Sequence, residues 1–162
     1  MKILRDLREK HPWTFKQAAE LWPELGITVE RRHLETGDYT VEGLENTFCI
    51  ERKSVNDFSH TLTWSPERFE REMERMAHME GVVVIVEAPF TSYTGGFSDA
   101  VNFLKKIKTP NHQLRNALVL AMRFPRIRWQ FSGTPEAAEM AAFLEMYRAA
   151  KKAGLINGKS GN

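Results

Sequence analysis

The sequence predicts an α/β fold built on a mixed central sheet, and three observations predict it. Residues 82–87 read VVVIVE, an apolar run without alternation, as expected of a strand covered on both faces inside a sheet. Phe69, Met73, Met76 and Ala77 recur at helical spacing directly before that run, so a helix over 66–80 feeds a buried strand. Four extended segments precede this unit, and helices, a strand and a long final helix follow it.

The elements follow in order. Residues 2–6 form a short strand, HPWTF at 11–15 an irregular connection, and 17–22 a short helix. Residues 27–34 combine β-branched and charged residues on a strand, Thr36 and Gly37 turn the chain, and DYTVEG at 38–43 extends again. A further strand covers 46–53. Side chains alternate along it, so Cys49, Glu51 and Lys53 share one face while Phe48, Ile50 and Arg52 share the other.

Residues 54–62 form a helix, and Ser65 and Pro66 then supply the N-cap and first position of the helix at 66–80. A Pro and Gly loop at 89–97 leads to a helix capped by Ser98 or Asp99, with Val101, Leu104 and Ile107 on one stripe. A further helix covers 111–123. Residues 126–131 alternate Ile127, Trp129 and Phe131 with Arg128 and Gln130, a half-buried strand nearer an edge, and the final helix starts at Thr134 and Pro135.

With 162 residues, 42% hydrophobic and 27% charged, the chain has the balance of one domain, assigned to residues 1–153. The last nine residues, GLINGKSGN at 154–162, read as a flexible tail. The formal charge is only +2, so a polyanion must be held by a local patch. A single cysteine, Cys49, and a charged N-terminal stretch point to an intracellular, cytoplasmic location. The longest apolar run falls far short of the roughly 20 residues of a membrane span. The five histidines, His11, His33, His60, His78 and His112, lack zinc-site spacing. Gly95-Gly96 lacks the Lys-Ser or Lys-Thr of a phosphate-binding loop, so no nucleotide cofactor is expected.

Chemistry concentrates in GDYTVEGLENTFCIERKSVNDF, residues 37–58. Asp38 starts one strand and Glu51-x-Lys53 lies on a neighbouring one, so two carboxylates and an ammonium converge. Phosphodiester hydrolysis needs a hard cation to neutralise phosphate charge and acidify a water, and Mg²⁺ is held by one or two carboxylates. Asp38 and Glu51 can supply them, with the Arg52 carbonyl as a further oxygen, and Lys53 can orient water or stabilise developing charge. The plain alternative is a solvated strand end, but charges beside Phe48, Cys49 and Ile50 are costly there unless paired or metal-bound.

In order along the chain, Asp6-Leu7-Arg8-Glu9, Gly37-Asp38, Glu51-Arg52-Lys53 and Asp57 resemble the nuclease domain of the XPF-type (ERCC4-domain) structure-specific endonucleases. The resemblance implies a restriction-endonuclease-like three-layer α/β/α fold within the PD-(D/E)XK nuclease superfamily. It implies Mg²⁺ or Mn²⁺ on Asp38 and Glu51, Lys53 as the catalytic lysine, and Asp6, Arg8, Arg52 and Asp57 as supporting site residues. Asp57 also completes a capping box with Ser54, and both roles are compatible. Arg8 and Glu9 have an ordinary reading as surface charges, and Glu9 stays outside the catalytic set. Glu87 ends the buried strand as either a functional or a solvated carboxylate.

Arg68 matches a family arginine, with Glu72 standing where the family carries Gln, and an Arg68–Glu72 pair at i, i+4 is the expected helix ion pair. Lys105, Lys106, Lys108 and Arg115, with Arg123, Arg126 and Arg128, form the most basic region and the candidate phosphate contacts. No room remains after residue 152 for the tandem helix-hairpin-helix module that such proteins usually add. The expected function is a DNA endonuclease for branched or flapped DNA in repair, recombination or phage DNA processing. The alternatives are a noncatalytic DNA-binding or docking module on the same fold, and a restriction-like nuclease sharing only the Asp and Glu-x-Lys core.

The final helix carries two apolar stripes. Ala137, Met140, Ala141, Leu144 and Tyr147 suit the domain core, leaving Phe143, Met146 and Ala150 for a homodimer interface, which the resemblance also implies.

Overall fold

The computed structural model describes residues 1–64, 66–91 and 112–156. Its strands are β1 (Lys2–Asp6), β2 (Thr28–Arg32), β3 (Tyr39–Val41), β4 (Phe48–Lys53), β5 (Gly81–Val86) and β6 (Ile127–Phe131), and they form one mixed sheet in the order β2-β1-β3-β4-β5-β6. β3 runs antiparallel to both β1 and β4, whereas β2 is parallel to β1 and β4, β5 and β6 are mutually parallel. The helices are α1 (Lys16–Leu21), α2 (Val55–Trp64), α3 (Pro66–Met76), α4 (His112–Arg123) and α5 (Pro135–Lys152). The anticipated helix from Ser98 or Asp99, with Lys105, Lys106 and Lys108, lies outside the described residues, as does the side chain of Arg115.

Strand alternation sorts side chains into two cores. Ile3, Tyr39, Val41, Phe48, Ile50, Val83 and Ile85 face α1 and α5, and Cys49, Val82, Val84, Val86 and Ile127 face α2, α3 and α4. The unalternating run is therefore the strand with a helix layer on each side. The chain thus has the three-layer α/β/α arrangement with a mixed sheet that the sequence predicts. Its charged edge strand β2 pairs on one side only, and its charged residues discourage pairing with another chain.

Two expectations are corrected. α3 ends at Met76 rather than residue 80, because the chain turns through Ala77–Glu80 to enter β5. The stripes of α5 are exchanged: Phe143, Met146 and Ala150, with Ala138 and Ala142, are buried against the sheet, whereas Leu144 is 45% exposed. The alanines let the helix lie close to the strands, so the reserved dimer stripe is part of the chain's own core. At the end of α5, Gly154 takes φ +72°, its amide reaches the Lys151 carbonyl, and the Leu155 amide reaches that of Ala150. This is a Schellman cap, and Ile156 packs on the first core.

Candidate active site

The ends of β1, β3 and β4 meet at one end of the sheet, where a cleft of about 550 Å³ opens. Asp38 is pinned from both sides: its amide donates to the Ile50 carbonyl at 2.8 Å and its carbonyl accepts from the Asp6 amide at 2.8 Å. This close approach requires Gly37, whose φ is +76° and whose missing Cβ would sit 2.7 Å from the Cys49 Cβ. Any larger residue there would push Asp38 off β4.

On the α2/α3 face, Lys53 Nζ lies 2.6 Å from Glu51 Oε1 and 3.6 Å from Glu72 Oε2, with its charge 4.6 Å from the centre of the Phe69 ring. Asp38 accepts from the Arg52 amide at 2.8 Å through Oδ2. Burial, then the Glu51 charge, push the Asp38 carboxyl well above its ordinary value, against the Arg52 amide and Lys53. Burial also raises Glu51, against the pull of Lys53, and Glu72 adds to the rise. Burial opposes the Lys53 charge, but Glu51 and Glu72 hold its pKa above the ordinary value. The face therefore gathers more negative charge than Lys53 answers.

Arg52 enters the opposite face, as strand parity requires. Its guanidinium donates from Nε and Nη2 to the two Glu87 oxygens at 2.7 and 2.8 Å, reaches Glu9 at 3.0 Å, and lies 5.5 Å from the centre of the Trp13 ring. Trp13 Nε1 donates to Glu87 at 2.8 Å. Glu87 is thus buried and paired rather than solvated, and Glu9, read as a surface charge, is nearly buried.

Asp6 is buried beneath this region. Its Oδ1 accepts from the Arg8 amide at 2.8 Å and Arg8 Nε at 2.6 Å, and its Oδ2 from the Leu34 amide at 2.8 Å. Burial favours protonation, but the hydrogen bonds from the Arg8 side chain and the Leu34 and Arg8 amides win and lower its pKa. Asp6 braces Arg8, which lines the cleft, and does not line it itself. Asp57 lines the cleft from the start of α2 while its amide donates to Ser54 Oγ at 3.2 Å, so the capping pair sits at the cleft.

Of the other predicted contacts, Arg68 lines the cleft on α3. The anticipated Arg68–Glu72 pair is not formed, since Glu72 turns to Lys53. Arg123 is engaged by Glu70 and Glu74, and Arg128 donates to both Glu145 oxygens at 3.0 and 2.6 Å. Sequence reasoning missed Glu72, Lys10 and Arg75 as cleft residues; Glu72 was visible only as a departure from the family pattern.

Among the described residues no group of three or more His, Cys, Asp or Glu is gathered as a metal cage. The Asp38 and Glu51 pair nevertheless fits a hard divalent cation, which takes one or two carboxylates and otherwise water. Burial first, then a neighbouring carboxylate, Glu51 for Asp38 and Glu72 for Glu51, raises the two carboxyls, and a cation would offset these costs.

A mixed sheet between helical layers is the restriction-endonuclease-like fold, and here Asp38, Glu51 and Lys53 line one cleft at an end of that sheet. The ERCC4 domain family model matches residues 5–144, and the chain belongs to that nuclease family. At family level this places it among the DNA endonucleases. The fold is similar to that of "XPF from Aeropyrum pernix", with a TM-score of 0.62 and 20% identity over 95% of this chain and 67% of that one. No curated protein matches the chain. Among the described residues no helix is long and apolar enough to cross a membrane.

Proposed function

We propose that this chain is a Mg²⁺- or Mn²⁺-dependent endodeoxyribonuclease that hydrolyses phosphodiester bonds in branched or flapped DNA during repair, recombination or phage DNA processing. The observation that carries the reading is the Asp38 and Glu51 pair beside Lys53, short of positive charge at the floor of an open cleft. Asp38 and Glu51 would hold the cation, with the Arg52 carbonyl as a candidate third oxygen. Bound there, it would neutralise phosphate charge and acidify a water. Lys53, fixed by Glu51, Glu72 and the Phe69 ring, orients that water or meets negative charge developing on the phosphate. Arg8 and Arg68 line the same cleft as cations for the flanking backbone.

The protein would act inside the cell, where the buried Cys49 thiol stays reduced. We keep the homodimer as part of this reading but move its surface to α4, where Leu118, Val119 and Met122 are 51%, 52% and 81% exposed. Light scattering should find a dimer that Met122→Glu dissociates; a monomeric wild type rejects it.

A cleavage panel of duplex, flap, fork and four-way junction DNA with Mg²⁺, Mn²⁺ or EDTA tests the function. Branched substrates should be cut with either metal and not in EDTA. No cutting of any substrate would overturn the reading and favour a noncatalytic docking module.

A further inference from the structure

Glu9, Lys10 and His11, which open the loop from Glu9 to Phe15, line the cleft, and the loop's attachments come from four separate segments of the fold. The Glu9 carboxylate takes Arg52 Nη1 at 3.0 Å and the His11 amide at 2.9 Å. Trp13 donates its indole N–H to Glu87 and its amide to the Tyr39 hydroxyl at 2.9 Å, and its ring stacks on Tyr39 with centroids 4.9 Å apart. Phe15, at a positive φ of 56°, donates its amide to Glu139 of α5. Between these ties Lys10 is exposed and lines the cleft.

A buried ion pair adds little net stability, because desolvation offsets attraction. What a bidentate Arg52–Glu87 pair supplies is fixed geometry. Lys10 on the loop, and Arg68 and Arg75 on α3 on the other side of the sheet edge, line the cleft with no ion-pair partner among the described residues. Cations left free on both sides of a carboxylate-bearing floor suit a polyanion running between them.

Resting on the nuclease reading above, we infer that Arg52, Glu87 and Trp13 are positioning residues. They hold the Glu9–Phe15 loop so that Lys10 grips a DNA phosphate flanking the one cleaved, opposite Arg75. The Arg52 side chain thereby acts through the loop and not on the reacting atoms.

The test uses the full chain and a labelled DNA flap, with binding measured without divalent metal across a salt series and steady-state cleavage measured with Mg²⁺. Lys10→Ala should lower the slope of log affinity against log salt by about 0.9, the value for one lost duplex phosphate contact. It should raise KM several-fold with kcat near wild type. Trp13→Phe, which keeps an aromatic ring and removes the indole donor, and Glu87→Gln should give the same signature. Combining Glu87→Gln with Lys10→Ala should add little, because both remove one contact. An unchanged slope and KM in Lys10→Ala, with a wild type that cleaves, would overturn the inference and leave the nuclease reading standing. So would Glu87→Gln or Trp13→Phe lowering kcat at an intact slope. A wild type that neither binds nor cleaves DNA overturns both.

Discussion

Glu51, Arg52 and Lys53 are consecutive on β4, yet the two faces they enter treat charge in opposite ways. Arg52 meets Glu87, Glu9 and the Trp13 ring, so its charge is answered in full by groups from three other segments. Glu51 meets Lys53, but Asp38 and Glu72 crowd the same face, and both Asp38 and Glu51 are pushed toward protonation. The matched face builds the cleft and the mismatched face equips it. A buried cation whose nitrogens all meet carboxylates is architecture; three carboxylates that share one ammonium, beside an open cleft, are where a cation and a phosphate would complete the set.

The largest effect that separates the faces is on cleavage. Glu51→Gln should abolish it while stability holds or rises, since the change removes a repelling charge at constant volume. Circular dichroism and a flap-cleavage assay read both, and undiminished cutting would sink the assignment. On the matched face, Glu87→Ala should cost stability instead, about 3–5 kcal/mol in urea unfolding, because it strands a buried guanidinium. A loss under about 1 kcal/mol would mean that solvent answers Arg52, as in an exposed pair.

Lys53→Ala should lower kcat more than metal affinity, and Lys53→Arg should not restore it, because a planar fork cannot replace a compact charge against Phe69 and Glu51. Normal turnover with weakened metal binding would reverse the division of roles.

The smallest effect is on pH dependence. Asp38 and Glu51 titrate above their ordinary values in the fold, so the folded state binds more protons and metal-free stability falls as pH rises from the ordinary carboxylate range through the raised values. Asp6 titrates below its ordinary value, so its contribution is present at neutral pH and lost as pH falls through the ordinary range toward its lowered folded value. Asp38→Asn should reduce the first slope and leave the second. Thermal unfolding across pH without metal checks it, and an identical profile in the variant would contradict it.

Much of this was legible in the sequence. The unalternating Val82–Val86 run placed the inner strand, and strand parity put Glu51 and Lys53 together and Arg52 apart. The Glu9–Arg52–Glu87–Trp13 network was not legible, because its members lie far apart in the chain and only the packed sheet brings them together. Glu72 was misread for a related reason: spacing gives it two cationic neighbours, Arg68 on its own helix and Lys53 across the fold, and a sequence displays only the first. The stripes of α5 were exchanged because both are apolar, and the choice rests on which one lets the backbone approach the sheet.

The most direct test of the account is thermal unfolding of wild type and Asp38→Asn in EDTA and in saturating Mn²⁺. Wild type should be less stable than the variant in EDTA and should gain markedly with Mn²⁺, while the variant gains little. Equal stabilisation of both proteins by Mn²⁺, or none of wild type, would contradict the claim that Asp38 and Glu51 form a cation site left short of positive charge.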